Sequence, residues 1–446
     1  MAYWQEHSLG CAPQSAFGTS NVTPSDYAWL QCDKPKVQLN RESEELELLT
    51  GQVGAAGEKL QGRRHGTLSF TIPLEGLVSG YNPTTQNPGD TGVLPPWFIL
   101  FANSLGSYIG NVTTAADFWA GDHISCSAYN AAGVASATSG AITWANGAPS
   151  ASVKAGQLVA TATSATSTAI QMGWAKTKAA LVTTLFEASG QTVNDPTGNL
   201  YGSATTWISA AHANQKPVTF RWSGENSAAA KILVDAVCTG WELTWDSGQV
   251  SKITFNYSFY DYYDDSTVGG LVVPAAFQRV PQLVGSNNGR ATIGGSVRCG
   301  LESCKIVYKC EVAEYRCHSA TQGIAGVSYR KPRISVSMSV PYTTDDPIYD
   351  SAGSIATSGQ NIWESRLEQG TTTSLACYVG SRIGRSFAFL VPAAKLSGVP
   401  QIAEVGGGAV GYSLEFEAGS YTGDSTDTAE TTTNSPIDSI FRAGLV

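Results

Sequence analysis

Four cysteines and a histidine crowd into one stretch of the chain: Cys299, Cys304, Cys310, Cys317 and His318. Thiolate and imidazole groups of this kind hold structural zinc. Zinc sites, however, are built on tight C-x-x-C-like pairs, and here four, five and six residues intervene. Free cysteine is also among the most buried residue types, so the spacing predicts small core hydrophobes on strands, with reduced thiols and no metal. The acidic turn Asp261, Asp264 and Asp265 carries the oxygen ligands a calcium ion takes, but a solvated loop after a strand accounts for it as well. The adjacent carboxylates Glu44-Glu45, Asp264-Asp265 and Asp345-Asp346 point to opposite faces if they lie on strands, so none forms an acid–base pair by itself. The histidines (His7, His65, His123, His212 and His318) are scattered outside any H-E-x-x-H pattern. The chain has no G-x-S-x-G elbow, phosphate loop or dinucleotide fingerprint, and Gly406–Gly408 lacks the lysine and the helix of a phosphate cradle. The expectation is no catalytic residue, no cofactor and no enzymatic activity.

One further set could do chemistry by stacking. Trp241, Trp245, Tyr257, Phe259, Tyr260, Tyr262 and Tyr263 could form a platform for sugar rings. Several of them alternate along a strand, which predicts core and interface instead.

The elements that would position such groups follow from composition. Of 446 residues only 14% are charged and 47 are glycine, which leaves too little Lys, Glu and Arg for bundles of helices. Short strands separated by Gly, Ser, Thr, Asn and Asp fit best, in two or three domains. A net charge of −9 argues against a protein that grips phosphate. The first ten residues, MAYWQEHSLG, show no basic region followed by an apolar stretch, and no apolar run approaches membrane-spanning length. The expectation is a soluble protein without a membrane anchor, made in a host cytoplasm.

Internal similarity organises the rest. Residues 62–73 (GRRHGTLSFTIP) resemble residues 330–341 (RKPRISVSMSVP), and Pro341 stands at an offset of 268 from Pro73. A short helix opened by Pro95-Pro96, with Trp97, Phe98, Phe101 and Leu105 on one face, has its counterpart in Ile362, Trp363 and Leu367, closed by Gly370. Residues 248–267 and 407–426 are both turn-then-strand segments ending in Asp-Ser-Thr, at an offset of 159. Ala229-Ala230-Lys231-Ile232 matches Ala393-Ala394-Lys395-Leu396 at an offset of 164. These landmarks predict a mainly β protein of two tandem sandwich or partial-barrel domains, each with a flanking short helix. The domains run over 1–268 and 269–446, joined near Gly269–Pro281. The first carries a small β insertion at about 110–200, rich in Ala, Ser, Thr and Gly. Its entry strand is expected at Leu46–Leu49 and that of the second near 301–317.

The residues Gly62-Arg63-Arg64-His65-Gly66-Thr67-Leu68-Ser69-Phe70 followed by Pro95-Pro96-Trp97 resemble the tail tube proteins of long-tailed bacteriophages. So do Gln322-Gly323-Ile324-Ala325-Gly326 before Arg333, Pro392-Ala393-Ala394-Lys395-Leu396, and the terminal stretch Tyr412–Gly419 with Tyr421 and Asp424-Ser425-Thr426. The resemblance covers about residues 40–110 and 200–446. It implies a β-sandwich with a flanking helix, rings whose inner β-barrel surrounds a DNA-wide channel, and stacking of rings through long loops. For a duplicated chain it implies three copies in a pseudo-sixfold ring, located in the virion. The partners would be itself, other tail proteins (tape measure, tail tip and terminator), and genomic DNA sliding past without specific binding. A tail-tip or fibre-type adhesin that binds carbohydrate is the alternative from another class.

Within that reading the strand 412–418 presents Tyr412, Leu414, Phe416 and Ala418 on one face and Ser413, Glu415 and Glu417 on the other. In 253–259 the polar face is Thr254, Asn256 and Ser258. A strand with one apolar face gives the other to water. Glu415 and Glu417 are therefore expected to line the channel with Thr254, Asn256 and Ser258, as a mildly acidic wall that repels DNA.

Overall fold

The computed structural model describes residues 8–14, 16–20, 27–33, 35–46, 58–74, 100, 104, 134–138, 141–144, 158–162, 169–178, 182–186, 192–194, 206–208, 217–223, 230–264, 289–293, 296–297, 303–318, 323–342, 348–349, 354–356, 360–379, 387–405, 408–419 and 440–445. The protein is mainly β, as its composition predicts, and its largest sheet is antiparallel in every pairing. Labelled in chain order, the strands used below are β1 (Ser8–Pro13), β2 (Lys36–Leu46), β3 (Glu58–Pro73), β4 (Val218–Ser223), β5 (Lys231–Asp246), β6 (Lys252–Phe259), β7 (Ser303–Arg316) and β8 (Ile324–Pro341). The helix α1 (Ile362–Gln369) follows, then β9 (Thr373–Val379), β10 (Phe387–Leu396), β11 (Gln401–Val405) and β12 (Ala409–Ala418).

Eight of these strands are neighbours in the order β2–β3–β6–β5–β7–β8–β12–β11. The two half-chains meet inside this run, where β5 pairs with β7. A second layer packs behind each half. In the first it is β1 and β4 with the N-terminal part of β5. In the second it is the strand Gly289–Ile293, then β9 and β10. Between the layers lies one continuous apolar core that takes residues from both halves, from Phe70 and Phe220 to Phe389 and Leu414. Phe220 stands edge-on to Tyr257 at 4.8 Å between ring centroids, which locks the first pair of layers. The expected domain boundary thus separates two lengths of chain that share a sheet and a core.

The same hydrogen-bonding register occurs twice. Pro73 opposes Lys252, and Pro341 opposes Gly411; Phe70 opposes Phe255, and Met338 opposes Leu414. Each member of the second pairing stands at an offset of 268 or 159 from its counterpart, as in the sequence landmarks. The entry hairpins agree as well, Lys36 with Ser69 and Lys305 with Ser337, and each bulges a few residues on. Lys331, in the second bulge, takes a φ of 49°, where an extra residue must be absorbed. Another bulge recurs between β4 and β5 and between β9 and β10: Val218 opposes Ala236 and Phe220 opposes Leu233, as Thr373 opposes Ala394 and Leu375 opposes Val391.

Two expectations are corrected by these registers. The pairing of β5 with β6 matches Val237 and Cys238 to Lys395 and Leu396, an offset of 158, so the match of the Ala-Ala-Lys segments at 164 is out of step. The first entry strand is Lys36–Leu46, which begins ten residues before the expected Leu46–Leu49 so as to oppose Ser69; residues 47–49 lie outside the described residues.

The helix ends as its sequence requires. Asn361 caps it by accepting from the Trp363 and Glu364 amides at 2.9 Å, and Gly370 closes it at a φ of 60°, a left-handed conformation that glycine adopts without strain. Trp363 is buried in the core. Of the matching segment in the first half, Leu100 and Ser104 are helical and buried; Trp97, Phe98, Phe101 and Leu105 lie outside the described residues, as does the join Gly269–Pro281. The insertion contributes six strands between Val134 and Asn194 that pair only with one another in a separate sheet. No helix among the described residues is long and apolar enough to cross a membrane.

Candidate functional site: a polar face across eight strands

Alternation of side chains gives the eight-stranded run one face for the core and one for water. On β6, Ile253, Phe255, Tyr257 and Phe259 are buried, while Thr254 and Ser258 are half-buried and Asn256 is exposed. On β12, Leu414 and Phe416 are buried while Glu415 and Glu417 are exposed. The strand pairing then brings Thr254, Asn256, Glu415 and Glu417 onto a single surface, while Ser258, at its margin, opposes the buried Val237. Thr254 opposes Glu242, which opposes Val307, then Ser335, then Glu417. One row of side chains therefore runs from the first half-chain to the second. The next row runs Lys252, Thr244, Lys305, Ser337, Glu415. Asn256 begins a third, which leads to Gly240, Lys309 and Arg333.

The chemistry of this face is mostly hydroxyl and amide. Thr71 and Thr254 share a hydrogen bond at 2.8 Å across the first pair of strands. Ser335, Ser337 and Ser339 alternate along β8 with Val336, Met338 and Val340, which point into the core. The charges are of both signs. Glu242, Glu415 and Glu417 share the surface with Lys252, Lys305, Lys309, Arg333 and Lys395, and Lys305 pairs with Glu242 at 2.7 Å across the join of the halves. The surface is therefore mixed in charge and not acidic, with five basic side chains among three carboxylates. The basic residues come from strands far from 412–418 in sequence, and only the pairing order places them beside it.

Gly240 sits in the middle of the third row because nothing larger fits. A Cβ there would lie 2.6 Å from the Tyr308 carbonyl oxygen of β7. The close approach of β5 to β7 at the join depends on it.

The other candidate groups are divided between the core and its margins. Trp241, Trp245, Tyr257, Phe259 and Tyr260 of the aromatic set are buried, while Tyr262 and Tyr263 are half-buried. Cys304 is buried with its sulfur 3.8 Å from that of Cys377, while Cys310 is half-buried and donates to the Arg330 carbonyl. The hydrogen bond with Cys377, and then burial, raise the Cys304 thiol well above the usual range. Cys299 lies outside the described residues. Among the described residues no three His, Cys, Asp or Glu side chains are grouped to hold a metal ion. Asp261 is drawn to Arg64 at 2.9 Å and Asp264 to Lys231, so the acidic turn is tied into the first hairpin and β5.

One buried carboxylate escaped sequence reasoning. Asp235 sits in the β4–β5 bulge at a φ of 55° and accepts from the Gly18 amide and the Gln14 side-chain amide, both at 2.8 Å. Its own amide donates to Gln14 Oε1 at 2.9 Å. The reciprocal bonds fasten residues 14–19 to β5, a structural task. No local signal marked it, since its partners lie more than two hundred residues away.

Neither a protein-family model nor a curated protein matches the sequence.

Proposed function

We propose that the chain is a structural protein that assembles with copies of itself into stacked rings, a tail-tube-type conduit through which DNA passes. The observation that carries this reading is the polar face: eight antiparallel strands from both half-chains, in a repeated register, present one surface of hydroxyls, amides and charges of both signs. Such a surface suits a wall past which a polyanion slides. Its hydroxyls remain solvated, Lys305 is paired with Glu242, and Lys395 stands opposite Glu417, which lessens the hold of these two cations on phosphate. Thr254, Asn256, Ser258, Glu415 and Glu417 would line the channel. The repeated register gives each chain two equivalent wall segments, so three chains would supply a pseudo-sixfold ring. In this reading the protein is not an enzyme, works in the virion, and meets other tail components at the ends of the tube.

Electron microscopy of the purified protein tests the proposal. Rings or tubes with threefold-related subunits are the expected result. A protein that stays monomeric over a wide range of concentration and salt, or is retained on a polysaccharide matrix, would overturn it.

A further inference from the structure

The eight-stranded run ends in two open edges, β2 and β11, each paired on one side only among the described residues. The join inside the chain shows what each edge lacks. On β5, Glu242, Leu243 and Thr244 oppose Thr254, Ile253 and Lys252 of β6. On β11, Gln401, Ile402 and Ala403 oppose Ser413, Tyr412 and Gly411 of β12 in the same register, at the offset of 159 that relates the two halves. Strand β11 is thus the second-half counterpart of the β5 segment that meets β7. Strand β7 is in turn the counterpart of β2: Lys305, Ile306 and Val307 oppose Ser337, Val336 and Ser335, as Lys36, Val37 and Gln38 oppose Ser69, Leu68 and Thr67.

Burial separates the joined positions from the open ones. Leu243 is 0% exposed at the join, whereas its counterpart Ile402 is 77% exposed. Tyr308 is 1% exposed at the join, whereas its counterpart Leu39 is 37% exposed. Val399, Val410 and Tyr342 add further exposed apolar surface beside β11. A strand edge with exposed aliphatic side chains invites another strand.

We infer that β11 of one copy pairs antiparallel with β2 of a second copy, in the register of the β5–β7 join: Gln401 opposite Gln38, Ile402 opposite Val37 and Ala403 opposite Lys36. Ile402 and Leu39 become buried, and the polar face continues unbroken from one chain into the next. Each copy offers one edge of each kind, so the contact is head-to-tail. The inference rests on the proposed self-assembly and names its contact.

Paired cysteines read the register directly, since a disulfide needs Cβ atoms about 3.5–4.5 Å apart. Gln38 and Gln401 are both exposed, so the Gln38→Cys/Gln401→Cys variant keeps its core. Mild oxidation should give reducible covalent oligomers from this variant and at least fivefold less from either single variant, the parent chain, or the pair Asn40→Cys/Ala403→Cys, which is slipped by four residues. The same samples are imaged. Oligomers together with tubes support both readings. Oligomers without rings or tubes keep the strand contact and overturn the conduit. Tubes without the cross-link, or a stronger cross-link from the slipped pair, overturn the contact and leave the conduit standing. Neither product overturns both.

Discussion

Trp241 of the first half-chain stacks on Tyr308 of the second, with ring centroids 5.6 Å apart and planes inclined by 25°. Trp241 also meets Phe441 near the C-terminus at 5.0 Å, and both Trp241 and Tyr308 are buried. The stack lies under the β5–β7 join, so it holds the halves in one sheet. Trp241→Ala should lower unfolding free energy by about 3–5 kcal/mol, the range for large aromatic truncations in a core. Denaturant unfolding followed by tryptophan fluorescence and by circular dichroism checks it. The two signals should coincide in the parent, because the halves share a core.

Arg63 links the two entry hairpins, bonding Glu42 at 2.9 Å and Glu314 of β7 at 3.0 Å. It is mostly buried while its partners are partly open, so screening weakens the pairs without cancelling them. A double-mutant cycle on Arg63→Met and Glu314→Gln should return a coupling of about 1 kcal/mol. No measurable coupling would mean that the arms are held by their apolar residues alone.

The Asp235 carboxyl is raised above its ordinary range, chiefly by burial, despite the bonds from Gly18 and Gln14. A group whose folded pKa exceeds its unfolded one binds its proton more tightly in the folded state, so its contribution is present at low pH and is lost as pH rises through the folded value. Asp235→Asn keeps an oxygen for both donors and tolerates the positive φ, so it should hold or raise stability at neutral pH and flatten the loss from acidic to neutral pH. Asp235→Ala should cost about 1–3 kcal/mol by removing the acceptor shared by the Gly18 amide and the Gln14 side chain. Thermal melts of both variants between pH 4 and 8 test the sign.

Glu415→Lys/Glu417→Lys should leave folding and ring formation intact, since both side chains are exposed. Residue 417 would then oppose Lys395, a like-charge cross-strand pair costing about 0.2–1 kcal/mol. In a conduit the added cations meet phosphate, so DNA ejection from particles carrying the variant should slow. Ejection at the parent rate would remove these residues from the channel wall.

The insertion's strands pair only among themselves, so excising about residues 110–200 behind a short linker should leave the eight-stranded run folded and, on the conduit reading, leave tubes. Loss of all soluble protein would show that the core depends on the insertion.

The sequence by itself determined which face of each strand is apolar. Alternation at Ile253–Phe259 and Tyr412–Ala418 is local, and so are the Asn361 and Gly370 caps of α1, each decided by the chemistry of a few neighbouring residues. The offsets of 268 and 159 were legible for the same reason. Partner choice was not. The false match at 164 and the true one at 158 differ by six, an even number that leaves every side chain on its own face, so alternation could not tell them apart. The bulge that holds Asp235, the lysines that share a surface with Glu415 and Glu417, and the β5–β7 join all depend on contacts between distant segments. Only closing those long loops, and burying Trp241 against Tyr308 when they close, made one sheet of two halves.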